Sequence, residues 1–161
     1  MLKSLQDIEY RYRVLNMVAL DFLFRDPIIR ASASTYNLDE LARLGLKIEM
    51  NLSGNKIRFI GDPPIYPELI IWKPDYQGAN TGRAVLVESI ETAASINSPE
   101  AIDKWRRLST QGVTFNLIVP FSSQALVRQM LVTHVINNVT LQTHNYDQAN
   151  SRYIFTTVLR R

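Results

Sequence analysis

The feature that most constrains this chain is a pair of almost unbroken apolar runs, "ELIIW" at 68–72 and "AVLVESI" at 84–90, separated by the polar loop "KPDYQGANTG". Strands of continuous apolar character lie in a sheet covered on both faces, so helices must pack on either side of them. The second run ends with Glu88 and Glu91 crowded around Ser89. An unpaired carboxylate in such a place costs several kcal/mol unless it is hydrogen-bonded, metal-bound or at a wet edge. The strand therefore ends either in a site or at solvent.

The flanking sequence supplies the covering elements. Leu2, Leu5, Ile8, Tyr12, Leu15, Val18 and Phe22 recur at three or four residues, which predicts a helix from about residue 3 to 24, ended by Pro27 and the tract "ASAST". Asn37 is placed to cap a short helix "LDELARL" closed by Gly45. "LKIEMNL", the turn "SGN" and "KIRFIG" alternate apolar and polar residues as a hairpin would, and "GDPPIYP" reads as a rigid connector. Ser98, with Pro99 and Glu100 in the first turn, caps a helix whose buried stripe is Ile102, Trp105 and Leu108, up to Gly112. "VTFNLIVP" is a further buried strand, "SSQALVRQMLVTHVI" a serine-capped amphipathic helix, and "VTLQTHN" and "RYIFTTVL", joined by "YDQANS", a closing hairpin. This order predicts an α/β fold with a mixed central sheet flanked by helices, in one domain of 161 residues.

Composition narrows the chemistry. The chain has no cysteine, so a disulfide framework and a thiolate metal site are excluded, and its only histidines are His134 and His144. A metal would have to use oxygen ligands. No glycine-rich phosphate loop follows a strand, and no serine elbow is present. No stretch of about twenty apolar residues occurs and the N-terminus lacks a cleavage pattern. The expectation is a soluble cytoplasmic protein without a membrane partner. A net charge of +3, with basic residues gathered at Arg11 and Arg13, Arg25 and Arg30, "KWRR" at 104–107 and the terminal "LRR", is compatible with nucleic acid as a partner.

If the two central strands are adjacent and antiparallel, Glu68 at the start of one and Glu88 or Glu91 at the end of the other converge. Carboxylates so placed suit a hard ion such as magnesium or manganese, which lowers the pKa of a bound water and stabilises charge on a phosphate. Glu40 on the short helix is a candidate to complete the shell.

At these residues the chain resembles the restriction-endonuclease-like, or PD-(D/E)XK, nuclease superfamily. "PELIIW", "VLVESIET", the helix carrying "KWRRL" and "VTFNLIVP" carry the likeness, across residues 37–120. It implies an αβββαβ core at 37–120, an N-terminal helical extension at 1–36, and a C-terminal helix and hairpin at 121–161. Pro67 and Glu68 correspond to the family's Pro-Asp pair, with glutamate for aspartate; Glu88 or Glu91 supplies the second acid and Glu40 the helix glutamate. The family's lysine is missing: the residue two after Glu88 is Ile90, and the residue two after Ser89 is Glu91. A bulge would let both glutamates face inward, with Lys104 or Lys73 supplying the displaced charge. The resemblance implies metal-dependent phosphodiester hydrolysis by Glu68, Glu88, Glu91 and Lys104, with Lys73, Arg106 and Arg107 on the nucleic acid. The lost lysine leaves open a non-catalytic relative that binds nucleic acid or protein, and a homodimeric assembly module is a third reading. Against these stand plainer roles: Glu40 on a solvated helix face, Lys104 as a surface helix lysine, Trp72 and Trp105 as core or rim aromatics, and His134 as a satisfied core histidine.

Overall fold

The computed structural model describes residues 21, 23–75 and 82–161. Most of the expected helix at 3–24, with Arg11 and Arg13, and much of the polar loop lie outside the described residues. A helix, α1, occupies 21 and 23–33, and α2 spans Leu38–Arg43. Six strands follow: β1 Lys47–Met50, β2 Leu69–Pro74, β3 Gly82–Ile90, β4 Thr114–Pro120, β5 Thr140–Asp147 and β6 Arg152–Arg160. Helix α3, Pro99–Ser109, links β3 to β4, and α4, Gln124–Thr133, links β4 to β5.

The strands form one mixed sheet in chain order. β1, β2 and β3 make an antiparallel meander, β3–β4 and β4–β5 are parallel, and β5–β6 is an antiparallel hairpin. Parallel neighbours need crossovers, and α3 and α4 provide them. The α/β expectation and its mixed sheet are borne out.

Pairing register assigns side chains to faces, because alternate residues of a strand point to opposite sides. On one face Val87, Phe115, Leu117 and Leu141 pack with Ile70 and Trp72 against Trp105 and Leu108 of α3 and Val127 and Leu131 of α4. On the other, Ile90 and Ile118 pack against Ile28 and Ile29 of α1. The helix at the N-terminal side thus covers the sheet that the central strands build.

Local signals explain most boundaries. The Asn37 side chain accepts the Glu40 N–H at 3.1 Å, and α2 ends at Gly45, whose φ of 67° suits glycine, with Leu46 N–H bonded to the Leu41 carbonyl at 2.8 Å. Ser98 caps α3 by accepting the Ala101 N–H at 3.0 Å.

Three expectations are corrected. Pro27 does not end the first helix, which runs through it to residue 33. Pro27 is exposed and so is Leu23, so the carbonyl deprived of its intrahelical donor faces water. "KIRFIG" is not a strand: β1 pairs directly with β2, Lys47 opposite Trp72. The Asn51 side chain instead holds this segment, accepting from Ile57 N at 2.9 Å and Arg58 N at 3.1 Å and donating to the Arg58 and Pro67 carbonyls at 2.8 and 2.6 Å. Ser123 makes no capping bond, because a 3₁₀ turn at Phe121–Ser123 leads into α4.

Candidate functional site

Glu68 stands immediately before β2 and Glu91 immediately after β3, at the same end of two paired strands. Lys104 reaches them from α3. Its Nζ lies 3.0 Å from Glu68 Oε1, 3.2 Å from Glu68 Oε2 and 3.0 Å from Glu91 Oε1. Arg25 enters from α1, with Nη1 3.2 Å from Glu68 Oε1 and Nη2 2.5 Å from Asp21. Thr92 donates a hydrogen bond to Asp21.

The remaining lone pairs are occupied by neutral donors. The Ile90 N–H donates to Glu68 Oε2 at 3.0 Å. Ser89 Oγ at 2.8 Å and Trp105 Nε1 at 3.0 Å donate to Glu91 Oε1, and Ser95 Oγ at 2.5 Å donates to its Oε2. Glu91 is buried, at 1% exposure. Burial alone pushes its carboxyl up, but Lys104, Ser95, Arg25 and Trp105 outweigh it and hold the group at about 2. Burial works against the charge on Lys104, and Glu68 and Glu91 overcome it, so its pKa is raised.

Glu88 goes elsewhere. The only irregularity in the β2–β3 ladder falls between Ile71 and Trp72, while residues 86–90 pair with β4 without interruption. No bulge separates Glu88 from Glu91, so strand alternation sends Glu88 to the α1 face. There it accepts from Ser32 Oγ at 2.6 Å, Tyr36 Oη at 2.5 Å and Asn116 Nδ2 at 3.4 Å. Burial, only partly offset by these donors, raises its pKa, and burial beside Glu88 raises that of Tyr36.

Other expected site residues are dispersed. Glu40 is exposed and pairs with Arg43 at 2.6 Å. Lys73 is exposed toward the far end of β2, opposite Arg83. Arg106 is exposed, whereas Arg107 donates to the Pro63 carbonyl and borders, with Lys104 and Tyr66, an open groove of about 510 Å³. Sequence reading missed Arg25, Asn51, Ser95 and the role of the Trp105 indole. The capped helix placed Trp105 in the core, but nothing local showed which polar atom its N–H would meet.

A bound divalent cation takes about six oxygen ligands, and a carboxylate offers roughly four lone-pair sites. In this arrangement Glu91 meets four donor atoms and Glu68 meets three, one of them twice. Among the described residues, no group of three or more His, Asp or Glu side chains is placed to hold a metal ion. The donor set as arranged ties α1, α3 and the sheet together as an internal ion-pair lock. No described helix is long and apolar enough to cross a membrane.

A polar rim with exposed Lys56 and an aromatic pair adjoins the lock. Arg25, Asp26, Asn51, Asn55, Lys56, Tyr66 and Glu68 line a cavity of about 160 Å³. Lys56 Nζ sits 5.1 Å from the centre of the Tyr66 ring, and the Phe59 and Tyr66 rings lie 5.8 Å apart. Ile57 and Phe59 are exposed, at 64% and 54%. Comparison with protein-family models, curated proteins and solved structures returns no match to this chain.

Proposed function

We propose that the chain is a non-hydrolytic member of the restriction-endonuclease-like class, in which the acidic strand ends have become a structural lock and the adjoining rim binds single-stranded nucleic acid. The observation that carries this reading is the saturation of Glu68 and Glu91 by Lys104, Arg25 and their neutral donors. A meander of three antiparallel strands, a crossover helix and a parallel fourth strand accord with the class. Exposed Lys56 beside Tyr66 and Phe59 offers a cation and aromatic faces, the combination that binds backbone and bases without reading sequence.

The test pairs two titrations on the full chain. Calorimetry with magnesium and with manganese is expected to show no binding in the absence of nucleic acid. Fluorescence anisotropy with a labelled single-stranded oligonucleotide is expected to show binding that weakens with salt, unchanged by divalent ions and without cleavage. The slope falls by about one in Lys56→Ala if that residue meets a phosphate.

A second reading has its own support. Glu68, Glu91 and Lys104 meet within hydrogen-bond distance, two acids and a lysine, as the resemblance would require of a metal-dependent nuclease. Nucleic acid and magnesium would then have to displace Lys104 from the carboxylates. Divalent-dependent cleavage abolished by Glu68→Ala would establish this reading and overturn the first.

A further inference from the structure

On the α1 face of the sheet, beyond the apolar Ile90 and Ile118 and next to Leu86, a row of polar side chains crosses three strands. Glu88 of β3, Asn116 of β4 and Thr140 of β5 stand in one row, since Glu88 pairs with Asn116 and Asn116 with Thr140. Gln142 follows two residues along β5, and Arg160 of β6 pairs with Thr140. Together with Ser32 and Tyr36 at the end of α1 and Phe155 of β6, they line a cavity of about 490 Å³. This is within the usual range of small-molecule sites, about 300–1,000 Å³.

Such a row is unusual in a sheet whose opposite face is wholly apolar at these positions, with Val87, Phe115 and Leu141 buried. A buried polar group is costly unless satisfied. The floor is already organised: Glu88 is 1% exposed and fixed by Ser32, Tyr36 and Asn116. The walls are not. Among the described residues, no side chain or main-chain group bonds the Gln142 amide or the Arg160 guanidinium. The cavity thus presents the Asn116 amide held by Glu88, the Gln142 amide and the Arg160 guanidinium without partners among the described residues, and the rings of Tyr36 and Phe155 in its lining.

We propose that this cavity is a binding site for a nucleoside monophosphate. The Asn116 and Gln142 amides take the hydrogen-bonding edge of the base, with Glu88 holding Asn116 in place, and Arg160 takes the phosphate. A planar heterocycle with mixed donors and acceptors matches side-chain amides, each able to give and receive. The anion matches the guanidinium fork, which binds phosphate in a charge-assisted, bidentate manner. Glu88 stays beneath the ligand, where its hydrogen bond from Asn116 Nδ2 orients that amide and leaves the Asn116 Oδ1 side for the base. The site shares no residue with the lock or with the rim around Lys56, and it does not depend on the reading given for them.

The experiment is calorimetry on the full chain with the four ribonucleoside 5′-monophosphates, the corresponding nucleosides and inorganic phosphate. At least one monophosphate is expected to bind, its nucleoside more weakly and phosphate not measurably. Arg160→Ala is expected to weaken the monophosphate about tenfold while leaving the nucleoside unchanged. Gln142→Leu weakens both. Neither position belongs to the buried core, and a thermal melt of each variant checks that it is folded. The proposal is overturned if no monophosphate binds, if phosphate binds as well as the nucleotides do, or if binding is indifferent to both substitutions.

Discussion

Replacing Lys104 by methionine keeps the bulk of the side chain and removes the charge that joins Glu68 to Glu91. The expected loss follows from the pair's surroundings. Glu91 is 1% exposed and its carboxyl falls from the ordinary 4.5 to about 2, which corresponds to about 3 kcal/mol of stability when the unfolded chain has the ordinary value. Lys104 is the largest of the groups lowering it, and breaking one side of a buried pair typically costs about 3–5 kcal/mol. Lys104→Met should therefore destabilise the protein by about 3 kcal/mol at pH 7, or lower its melting temperature by about 6–12 °C. The depressed Glu91 carboxyl contributes stability that is present above 4.5 and is lost as pH falls through about 2. Wild type should consequently lose stability over that interval, and Lys104→Met should lose less, having less to give up. Urea unfolding followed by circular dichroism at pH 7, 5 and 3 measures both effects. The double variant Glu91→Gln with Lys104→Met should recover part of the loss, because no uncompensated charge remains at position 91. A loss below about 1 kcal/mol at pH 7 with an unaltered acid profile would refute the lock.

Two further outcomes follow from the neighbouring contacts. Glu88→Gln should flatten the stability profile at pH values above the ordinary carboxylate range. Its raised folded pKa gives stability that is present below the ordinary carboxylate range and lost as pH rises through the folded value; thermal melts between pH 4 and 9 that show the same slope in both proteins would contradict this. Asn51→Ala removes the side chain that joins residues 57, 58 and 67, four hydrogen bonds in all, and should cost about 2–3 kcal/mol. Hydrogen exchange should then rise first at Ile57 and Arg58, and uniform exchange across the chain would argue against a local role.

Much of the element order was legible because it rests on local chemistry. Asn37 and Ser98 caps, Pro99 in a first turn and Gly45 at a helix end act on their own backbone within a few residues. The continuous apolar character of 69–72 marked a strand buried on both faces, whereas in 84–87 only Val87 is buried and Val85 is exposed, so that run is covered on both faces only toward its end at residues 87–90. The period of the closing hairpin was equally plain.

What lay beyond the sequence was pairing and direction. The alternation in "KIRFIG" is the same whether the segment pairs with β1 or is held by Asn51, and only the folded chain brings that amide to Ile57 and Arg58. Glu88 and Glu91 are three residues apart, so a single inserted residue would decide whether they share a face; the unbroken β3–β4 ladder separates them. Lys104 was recognisable as a candidate cation, but its partners were not, and Arg25 gave no signal beyond charge. The sequence by itself determined that acidic groups would stand at the end of the central strands. Only the tertiary structure, by delivering Arg25 and Lys104 from helices on opposite faces to Glu68, decided that those charges would neutralise one another. Ion pairs between residues 36 and 43 positions apart in the chain depend on how helices cross a sheet, which no local pattern records.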